Sequence, residues 1–364
     1  MARLVAAMSG GVDSAVAAAL AMEQGHEVTG VHMALLRTPL AVRSGARGCC
    51  SIEDANDARR VADALGIPFY VWDLSPQFER EVVQDFLDEY AAGRTPNPCL
   101  RCNATVKFDG LLARALALGF DGIVTGHYGR IVRDASGAVE LHRGVDQAKD
   151  QSYVLGVLTQ EQLRRTWLPL GELTKPQVRA MAAQRGLRVA DKPDSSDVCF
   201  IPDGDTAGWL RERLGERPGL IEDESGRALG RHSGTYGFTI GQRKGLRLRE
   251  PAADGEPRYV TRIEAPTSTV VVGPHRDLEV DRLTGGALSW CQDALVGAFS
   301  AGVQVRAHSP EVPATVAVAP DGLSVEVTFD RPLFWVAPGQ TAVLYDGTRV
   351  IGAARIEATA RAAV

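Results

Sequence analysis

The feature that most constrains this chain is a short segment near its start, residues 9–14, which read Ser-Gly-Gly-Val-Asp-Ser. The apolar residues 4–7 before it predict a buried strand, and apolar residues at helical spacing after it predict a helix that ends at Gly25. The segment is therefore a turn from a strand into a helix. Backbone N–H groups at such a turn favour anions, and two glycines allow close approach. The turn predicts a phosphate site.

Two common nucleotide loops are excluded by the spacing of this segment. It lacks the Gly-Lys-Ser/Thr ending of a Walker A loop and the Gly-x-Gly-x-x-Gly spacing of a dinucleotide fingerprint. Ser9 and Ser14 supply hydroxyl groups, and Asp13 could hold a metal ion or orient the turn. The alternative is a plain glycine-rich turn, which leaves the two serines and the aspartate without a role.

Strand and helix patterns alternate through the first 200 residues or so. Further strands are predicted at residues 27–33, 69–73 and 122–125, with helices between them. This alternation predicts an α/β fold with a doubly wound parallel sheet, whose ligands bind at the carboxyl ends of the strands. Gly126 and His127 follow such an end, so we expect them to approach the nucleotide.

The character of the sequence changes after about Gly204. Glycine and proline separate short β-prone runs there, which predicts a small linker domain and then a barrel or sandwich. We expect three domains: residues 1–204 with the phosphate loop, residues 205–278 as a small central domain, and residues 279–364 as a C-terminal β-barrel.

Composition and charge limit the cellular compartment and the kinds of partner that we expect. No apolar run is long enough to span a membrane and no secretion signal is evident, so six cysteines predict reduced thiols and a cytoplasmic protein. The net charge of −5 argues against a general nucleic-acid coat but not against a local basic face. Residues 227–262 carry eight Lys or Arg against three Asp or Glu and are the candidate for such a face.

Three cysteines lie in polar segments that suggest chemistry. Cys99 and Cys102 follow two prolines in residues 93–103, predicted to form a stiff loop, and have the spacing of metal or redox pairs, while Cys199 lies beyond an Asp-rich stretch. Cys49, Cys50 and Cys291 are expected to be small apolar residues. A phosphate loop with separated thiols predicts sulfur transfer, in which ATP converts a carbonyl oxygen to an adenylate and sulfur displaces AMP.

The first segment resembles the pyrophosphate loop of the ATP pyrophosphatases, a group with several activities. Seven blocks together resemble the bacterial tRNA-specific 2-thiouridylases, over nearly the whole chain and in the right order. They are residues 9–14, 93–98, 125–128, 149–153, 198–201, 241–246 and 338–340. The resemblance implies a pyrophosphatase-type domain, a small central domain and a C-terminal β-barrel. It also implies ATP-dependent 2-thiolation of the wobble uridine in the tRNAs for Glu, Gln and Lys.

The resemblance assigns roles to individual residues. It makes Cys102 the nucleophile and Cys199 the carrier of the persulfide. The residues that it assigns to ATP are Ala7, Met8, Ser9, Gly10, Gly11, Val12, Asp13, Ser14, Met33 and Gly126. The residues that it assigns to tRNA are Asn97, Pro98, Cys99, His127, Lys149, Asp150, Gln151, Arg306 and Gln340. Apart from the resemblance, Lys149 and Asp150 could be a solvated ion pair and His127 a strand-end histidine.

Two positions depart from the family pattern. Many relatives have Asp where this chain has Cys99, and they tend to have Tyr where it has Ala307. With Cys99, three thiols at Cys99, Cys102 and Cys199 could hold a 4Fe-4S cluster, which the Cys-x-x-Cys spacing favours, while a persulfide route stays open. The implied cofactors are ATP and Mg²⁺, and the implied sulfur donor is a cysteine desulfurase or a sulfur-relay protein.

Two other functions remain open from the residues. Another ligase of the pyrophosphatase fold would use the phosphate loop but has no evident need for Cys102 and Cys199. A redox or metal-binding module on a nucleotide-binding fold would use the cysteines but leaves the phosphate loop without a role.

Overall fold

The structure of the chain is a computed structural model, which describes residues 1–36, 52–133, 138–193, 198–201, 203–248 and 254–361. Cys49 and Cys50, which we expect to be apolar packing residues, lie outside these described residues, as does Arg249 of the basic segment. The described residues form three sheets.

The first sheet is parallel and lies in the order β3-β2-β1-β4-β7. Its strands are β1 (Arg3–Ala7), β2 (Glu27–Ala34), β3 (Phe69–Asp73), β4 (Gly122–Val124) and β7 (Thr166–Trp167). Alternate residues of β1 face two apolar clusters: Val5 belongs to one, and Leu4 and Ala6 belong to the other. Both faces of the sheet are therefore covered, and the predicted doubly wound α/β fold is confirmed.

Ten α-helices are described. They are α1 (Val12–Glu23), α2 (Ile52–Leu65), α3 (Ser75–Phe78), α4 (Gln84–Ala91), α5 (Pro98–Cys102), α6 (Leu112–Ala117), α7 (Ser152–Leu155), α8 (Gln160–Arg164), α9 (Lys175–Gln184) and α10 (Thr206–Leu214). π-Helical segments, Glu79–Val83 and Asn103–Leu111, connect α3 to α4 and α5 to α6. Short 3₁₀ turns cover Thr235–Gly237, Ala265–Thr267 and His275–Leu278.

The helix α5 differs from the sequence expectation, which placed a loop over residues 93–102. Asn97 is its N-cap, and its side-chain oxygen accepts a hydrogen bond from the Cys99 N–H at 3.0 Å. Pro98 occupies the first turn, where a missing N–H costs nothing. The two prolines predict a stiff loop, but the second of them starts a helix that continues to Ala117.

The second sheet forms the central region, in the order β10-β11-β8-β9. Its strands are β8 (Gly219–Asp223), β9 (Ala228–His232), β10 (Tyr259–Glu264) and β11 (Thr269–Gly273). It encloses a small cluster of its own around Ile221, Val260 and Val270.

The third sheet closes into a six-stranded barrel, β12-β15-β14-β13-β16-β17, because β12 also pairs with β17. Its strands are β12 (Val280–Trp290), β13 (Gly297–Gln304), β14 (Val312–Val318), β15 (Val325–Leu333), β16 (Thr341–Asp346) and β17 (Arg349–Ala360). The alternating burial of β14 and β15 fits one face toward the barrel interior. The predicted C-terminal barrel is confirmed.

A hairpin from the first part of the chain extends this barrel sheet. Its strands are β5 (Gly129–Arg133) and β6 (Val139–Arg143), and β6 pairs with β17 through Leu141 and His142. The apolar cluster that contains Phe78 also contains Leu141, Tyr153 and Tyr345. The first domain and the barrel thus share one continuous core.

No helix in the described part of the chain is long and apolar enough to cross a membrane.

Candidate active site

The predicted phosphate turn lies between β1 and α1 and is held together by its two serines. The Ser14 hydroxyl donates to the Gly11 carbonyl oxygen at 3.1 Å and accepts from the Ser9 N–H at 3.2 Å. The two hydroxyl oxygens are 3.2 Å apart. Gly11 is the N-cap residue of α1 and has no side chain to cap it, so the first N–H groups of a 12-residue helix remain available to an anion.

Two glycines are required by close backbone contacts at this turn. Gly10 has a φ of +78°, and a Cβ there would lie 2.3 Å from the Asp54 carbonyl oxygen. A Cβ on Gly126 would lie 2.6 Å from the carbonyl carbon of Asp13. Gly126 was expected to approach the nucleotide. In the structure it packs against the backbone of the turn and also lines the cavity beside it.

The carboxylate of Asp13 is held by two side chains from distant parts of the chain. Lys175 Nζ donates to both carboxylate oxygens at 2.8 and 2.7 Å, and the Tyr128 hydroxyl donates to Oδ1 at 2.7 Å. Lys175 is buried at the start of α9. This lysine is not among the predicted site residues, although a capping box formed by Thr174 and Gln177 starts the helix that carries it.

A second lysine holds the other side of the turn. Lys192 Nζ donates to the Gly10 carbonyl oxygen at 2.9 Å, to Asp54 at 2.8 Å and to Asp57 at 2.7 Å. Burial alone would lower the pKa of Lys192, but its hydrogen bonds with the two carboxylates outweigh that effect and raise the pKa. An ammonium group is thus fixed against the phosphate turn.

The turn opens into a cavity of about 410 Å³. Most of the predicted site residues line it: Ala7, Met8, Ser9, Asp13, Ser14, Met33, Pro98, Cys99, Cys102, Gly126, His127, Lys149, Gln151 and Cys199. The lining also includes residues that the sequence analysis did not single out, namely His32, Lys107, Tyr128 and Lys175. The phosphate turn and the three thiols therefore face one space.

The three thiols reach this cavity from two directions. Cys99 is exposed and Cys102 is buried, and both lie on α5. Cys199 is half-buried and precedes Phe200, whose ring packs edge-on against Phe78 and Phe86. Cys291, by contrast, is buried in the core, and burial raises the pKa of its thiol to about 12, so it is an inert packing residue.

The cavity lining bears on two inorganic cofactors, Mg²⁺ and a 4Fe-4S cluster. Asp13 is the carboxylate among the described residues that line it, and Mg²⁺ commonly binds through one or two carboxylates plus phosphate oxygens, so Mg²⁺ fits. No three His, Cys, Asp or Glu side chains in the described ranges gather closely enough to hold a metal ion. Cys99, Cys102 and Cys199 do not form such a metal-ion group, although all three line the cavity.

His127 and Gln151 are fixed at the cavity wall. His127 Nδ1 lies 2.8 Å from the Thr125 hydroxyl, and its pKa is lowered well below the ordinary value, first by burial and then by the charge of Lys107. Gln151 accepts a hydrogen bond from the Tyr128 N–H at 3.0 Å. The imidazole is therefore neutral at physiological pH.

Seven predicted site residues are not among those that line the cavity: Gly10, Gly11 and Val12 of the phosphate turn, and Asn97, Asp150, Arg306 and Gln340. Asp150 accepts hydrogen bonds from Arg143 and from the N–H of Gly144. Gln340 Nε2 donates to the Thr95 carbonyl oxygen at 2.5 Å and so ties the barrel to the segment before α5.

Arg306 is half-buried on the barrel side. Its Nε and Nη2 atoms are buried and have no hydrogen-bond acceptor within the described ranges, and burial lowers its pKa. Donors of this kind suit an anionic group from outside the chain.

The predicted basic face is smaller than the sequence suggested. Arg227, Arg258 and Arg262 form ion pairs with neighbouring acids. The exposed basic residues of this segment that have no ion-pair partner within the described ranges are Arg231, Arg243, Lys244 and Arg247.

Comparison with known families matches three consecutive parts of the chain. Residues 2–203 match the family described as tRNA methyl transferase HUP domain. Residues 207–274 match the tRNA methyl transferase PRC-barrel domain, and residues 280–356 match the aminomethyltransferase beta-barrel domain.

Among curated proteins the chain is similar to enzymes called tRNA-specific 2-thiouridylase MnmA. One from Nocardioides sp. is 60% identical over 99% of this chain and 99% of its own length. Another from Acidothermus cellulolyticus is 59% identical over 100% of this chain and 99% of its own length. A solved structure of a 4-thiouridine synthetase–RNA complex with bound ATP matches 58% of this chain and 50% of its own at 16% identity, with a TM-score of 0.34.

Proposed function

The chain belongs to the family of tRNA-specific 2-thiouridylases, and on that premise we propose that it thiolates the wobble uridine of the tRNAs for Glu, Gln and Lys in an ATP-dependent reaction. The observation that carries the proposal is the shared cavity, which the phosphate turn and the thiols of Cys102 and Cys199 line together. A ligase that only adenylylates would have no use for these thiols.

The first step is adenylylation of the uracil. The 2-oxygen of the uridine attacks the α-phosphorus of ATP, and pyrophosphate leaves. The N–H groups at the start of α1 would hold the phosphates, with Lys175 and Lys192 beside them. Mg²⁺ bound at Asp13 would screen the charge of the triphosphate. Ser9, Ser14, Met33 and Gly126 would complete the nucleotide site.

The second step moves sulfur to the activated carbon. We assign the persulfide to Cys199 and the attacking thiolate to Cys102. Attack of Cys102 on the inner sulfur of the Cys199 persulfide forms a Cys102–Cys199 disulfide and releases hydrosulfide. Hydrosulfide then adds at C2 of the uracil and AMP leaves with the former 2-oxygen. An external thiol must reduce the disulfide, and a cysteine desulfurase or sulfur-relay protein must renew the persulfide.

The remaining site residues would bind the tRNA. Asn97, Pro98 and Cys99 would contact the target base at the start of α5, and His127, Lys149 and Gln151 would contact the nucleotide from the cavity wall. Asp150, Arg306 and Gln340 would contribute from outside the cavity. We assign catalysis to the domain of residues 1–204. The domains of residues 205–278 and 279–364 would position the tRNA.

The assay is ATP–pyrophosphate exchange with and without an unmodified tRNA(Glu) transcript, followed by measurement of 2-thiouridine in the RNA. We expect Cys102→Ser and Cys199→Ser to keep exchange and to lose thiolation. Thiolation that survives either substitution would contradict the proposal.

Cys99 separates the persulfide route from a cluster route. We expect anaerobically purified Cys99→Ala protein to contain no iron and still to form 2-thiouridine when a persulfide donor is supplied, with at most a raised KM for tRNA, since Cys99 would contact the target base but has no part in the sulfur transfer. Iron and acid-labile sulfide in the wild-type protein, with loss of both iron and activity in the variant, would establish the cluster instead.

A further inference from the structure

Trp335 is an exposed aromatic side chain on a strained backbone. It follows β15, is 44% exposed and has a φ of +62°. A bulky residue at positive φ is a genuine outlier, and such outliers persist only where the surrounding structure holds them. Arg247 shares this feature, with a φ of +49°.

Neighbouring residues hold the indole in a fixed orientation. Phe334 stacks on His275 at 4.6 Å between ring centres, and Trp335 meets the edge of the same ring at 5.4 Å. The indole lies against Gly241, where a Cβ would be 2.1 Å from Trp335 Cδ1. One side of the ring system is therefore packed while the other is left to solvent.

The segment that follows Gly241, the residue against which the indole lies, carries positive charge. Arg243, Lys244 and Arg247 are exposed, and none of them has an ion-pair partner among the described residues. The chain as a whole carries a net charge of −5, so this cluster runs against its overall sign. We call Trp335, Arg243, Lys244 and Arg247 the tryptophan patch.

A short stretch of chain links Trp335 to the segment before α5. Gly339, four residues after Trp335, packs against the Thr95 backbone, and the Thr95 N–H donates to the Pro338 carbonyl oxygen at 2.9 Å. Four residues span at most about 14 Å. Thr95 is three residues before Pro98 of the cavity wall, so a nucleic acid with one nucleotide in the cavity can reach the patch with nucleotides nearby.

We propose that Trp335 stacks on an unpaired nucleobase of the tRNA other than the target uridine, and that Arg243, Lys244 and Arg247 contact the adjoining phosphates. Exposed aromatic rings flanked by cations bind unpaired bases in this way, because every base has a flat face and every nucleotide a negative charge. The proposal rests on the proposed function, since it takes tRNA as the substrate.

The test compares binding of an unmodified tRNA(Glu) transcript to Trp335→Ala, Trp335→Phe and an Arg243→Ala/Lys244→Ala double variant over a range of salt concentrations. We expect Trp335→Ala to raise the Kd about five- to thirtyfold with an unchanged salt slope, because a stacked base releases no counterions. Trp335→Phe should recover most of the affinity. In the double variant, the dependence of log Kd on log salt concentration should become less steep by the amount expected for the loss of about two phosphate contacts.

Tyr70→Ala is the matched control, since Tyr70 is another exposed aromatic, 57% accessible and on the edge strand β3. It should bind tRNA like the wild type. A set of tRNAs, each with one abasic position in a loop, then identifies the stacked base as the one whose removal weakens binding to the wild-type protein. The Trp335→Ala variant should bind that abasic tRNA as tightly as it binds intact tRNA.

Three results would overturn the proposal. One is an unchanged Kd for Trp335→Ala, and another is an affinity loss that no abasic position reproduces. The third is a wild-type dimer that Trp335→Ala converts to a monomer in sedimentation, which would assign the patch to a second copy of the chain. These results differ from those expected if the proposed function itself is wrong, because the wild-type protein would then neither bind nor thiolate the transcript.

Discussion

At the scale of single residues, Asp13 shows that a phosphate turn depends on side chains far along the sequence. Both its carboxylate oxygens accept hydrogen bonds from Lys175. If Mg²⁺ binds at Asp13, as we propose, Lys175 could turn from the carboxylate to a phosphate oxygen of ATP in exchange. Asp13→Ala is a poor probe of this exchange, because it removes the counter-charge of a buried ammonium group.

Lys175→Met tests the exchange directly. We expect it to lower ATP–pyrophosphate exchange by about a hundredfold or more, the size of effect seen when one donor to transition-state charge is removed. Arg164→Met, an exposed cation at the end of α8, is the control and should leave exchange unchanged. Exchange at the wild-type rate in Lys175→Met would show that Lys175 acts only on the fold.

His127 predicts a dependence of stability on pH. The folded protein holds its pKa well below the ordinary value, mainly through burial, whereas the unfolded chain takes up a proton near pH 6.5. Above about pH 6.5 His127 is neutral in both states and does not lower the stability. As the pH falls below that value, the unfolded chain takes up the proton first, and the free energy of unfolding drops by up to about 1.4 kcal/mol per pH unit.

Denaturant unfolding of wild-type protein and His127→Gln between about pH 5 and pH 7.5 measures this effect. The variant should lose less stability toward acid. His232→Gln is the comparison, because burial also lowers the pKa of His232, away from the cavity. Parallel pH curves for wild type and His127→Gln would contradict the argument.

At the scale of elements, the segment before α5 is held from both sides. Arg94 forms an ion pair with the buried Glu89, which Arg355 of β17 also approaches at 3.6 Å. Thr95 is bound by the barrel loop through Pro338 and Gln340. The position of Cys102 in the cavity therefore depends on the barrel as well as on its own domain.

Gly339→Ala should displace this segment. A Cβ there would lie 2.9 Å from the Thr95 N atom, and the φ of Gly339 is +89°. We expect thiolation to fall ten- to a hundredfold, since a shift of about 1 Å can cost that much.

Gly347→Ala is the matched control for strain, with a φ of +59° and nothing within 4 Å of the added Cβ. Both variants should lose about 1 kcal/mol or more of stability. Only Gly339→Ala should lose thiolation, and equal activities would remove the role assigned to the contact.

The limits of sequence reasoning also appear at this scale. Periodicity and glycine stops predicted β1 to β4, α1 and α2, because those signals are local. The pairing of β6 with β17 and the contact of Lys175 with Asp13 could not be predicted, since each joins residues far apart in sequence by packing alone. Pro98 was misread because the same residue suits a loop and the first turn of a helix.

At the scale of the whole molecule, the shared core predicts that the barrel stabilises the catalytic domain. Tyr153 is 2% exposed, and its hydroxyl donates to the Thr341 carbonyl oxygen of β16 at 2.9 Å. A chain that ends at residue 278 would expose Tyr153 and leave one edge of the β5–β6 hairpin unpaired.

We expect this shortened chain to melt at a lower temperature and to be cleaved by protease near residues 129–143 under conditions in which the full chain is protected there. Limited proteolysis with mass-spectrometric mapping makes the comparison. Equal protection of the hairpin in both proteins would show that the first domain is stable without the barrel.

The same hairpin has a consequence for how the chain is made. His142 and Thr348 are hydrogen-bonded neighbours although 206 residues separate them. At about 5–20 residues per second, roughly 10–40 seconds of translation lie between the appearance of one and that of the other. During that interval β6 leaves the ribosome with an open edge, which can pair with another nascent chain. A slow ribosome or a missing chaperone should therefore reduce the yield of this enzyme more than its final stability would suggest.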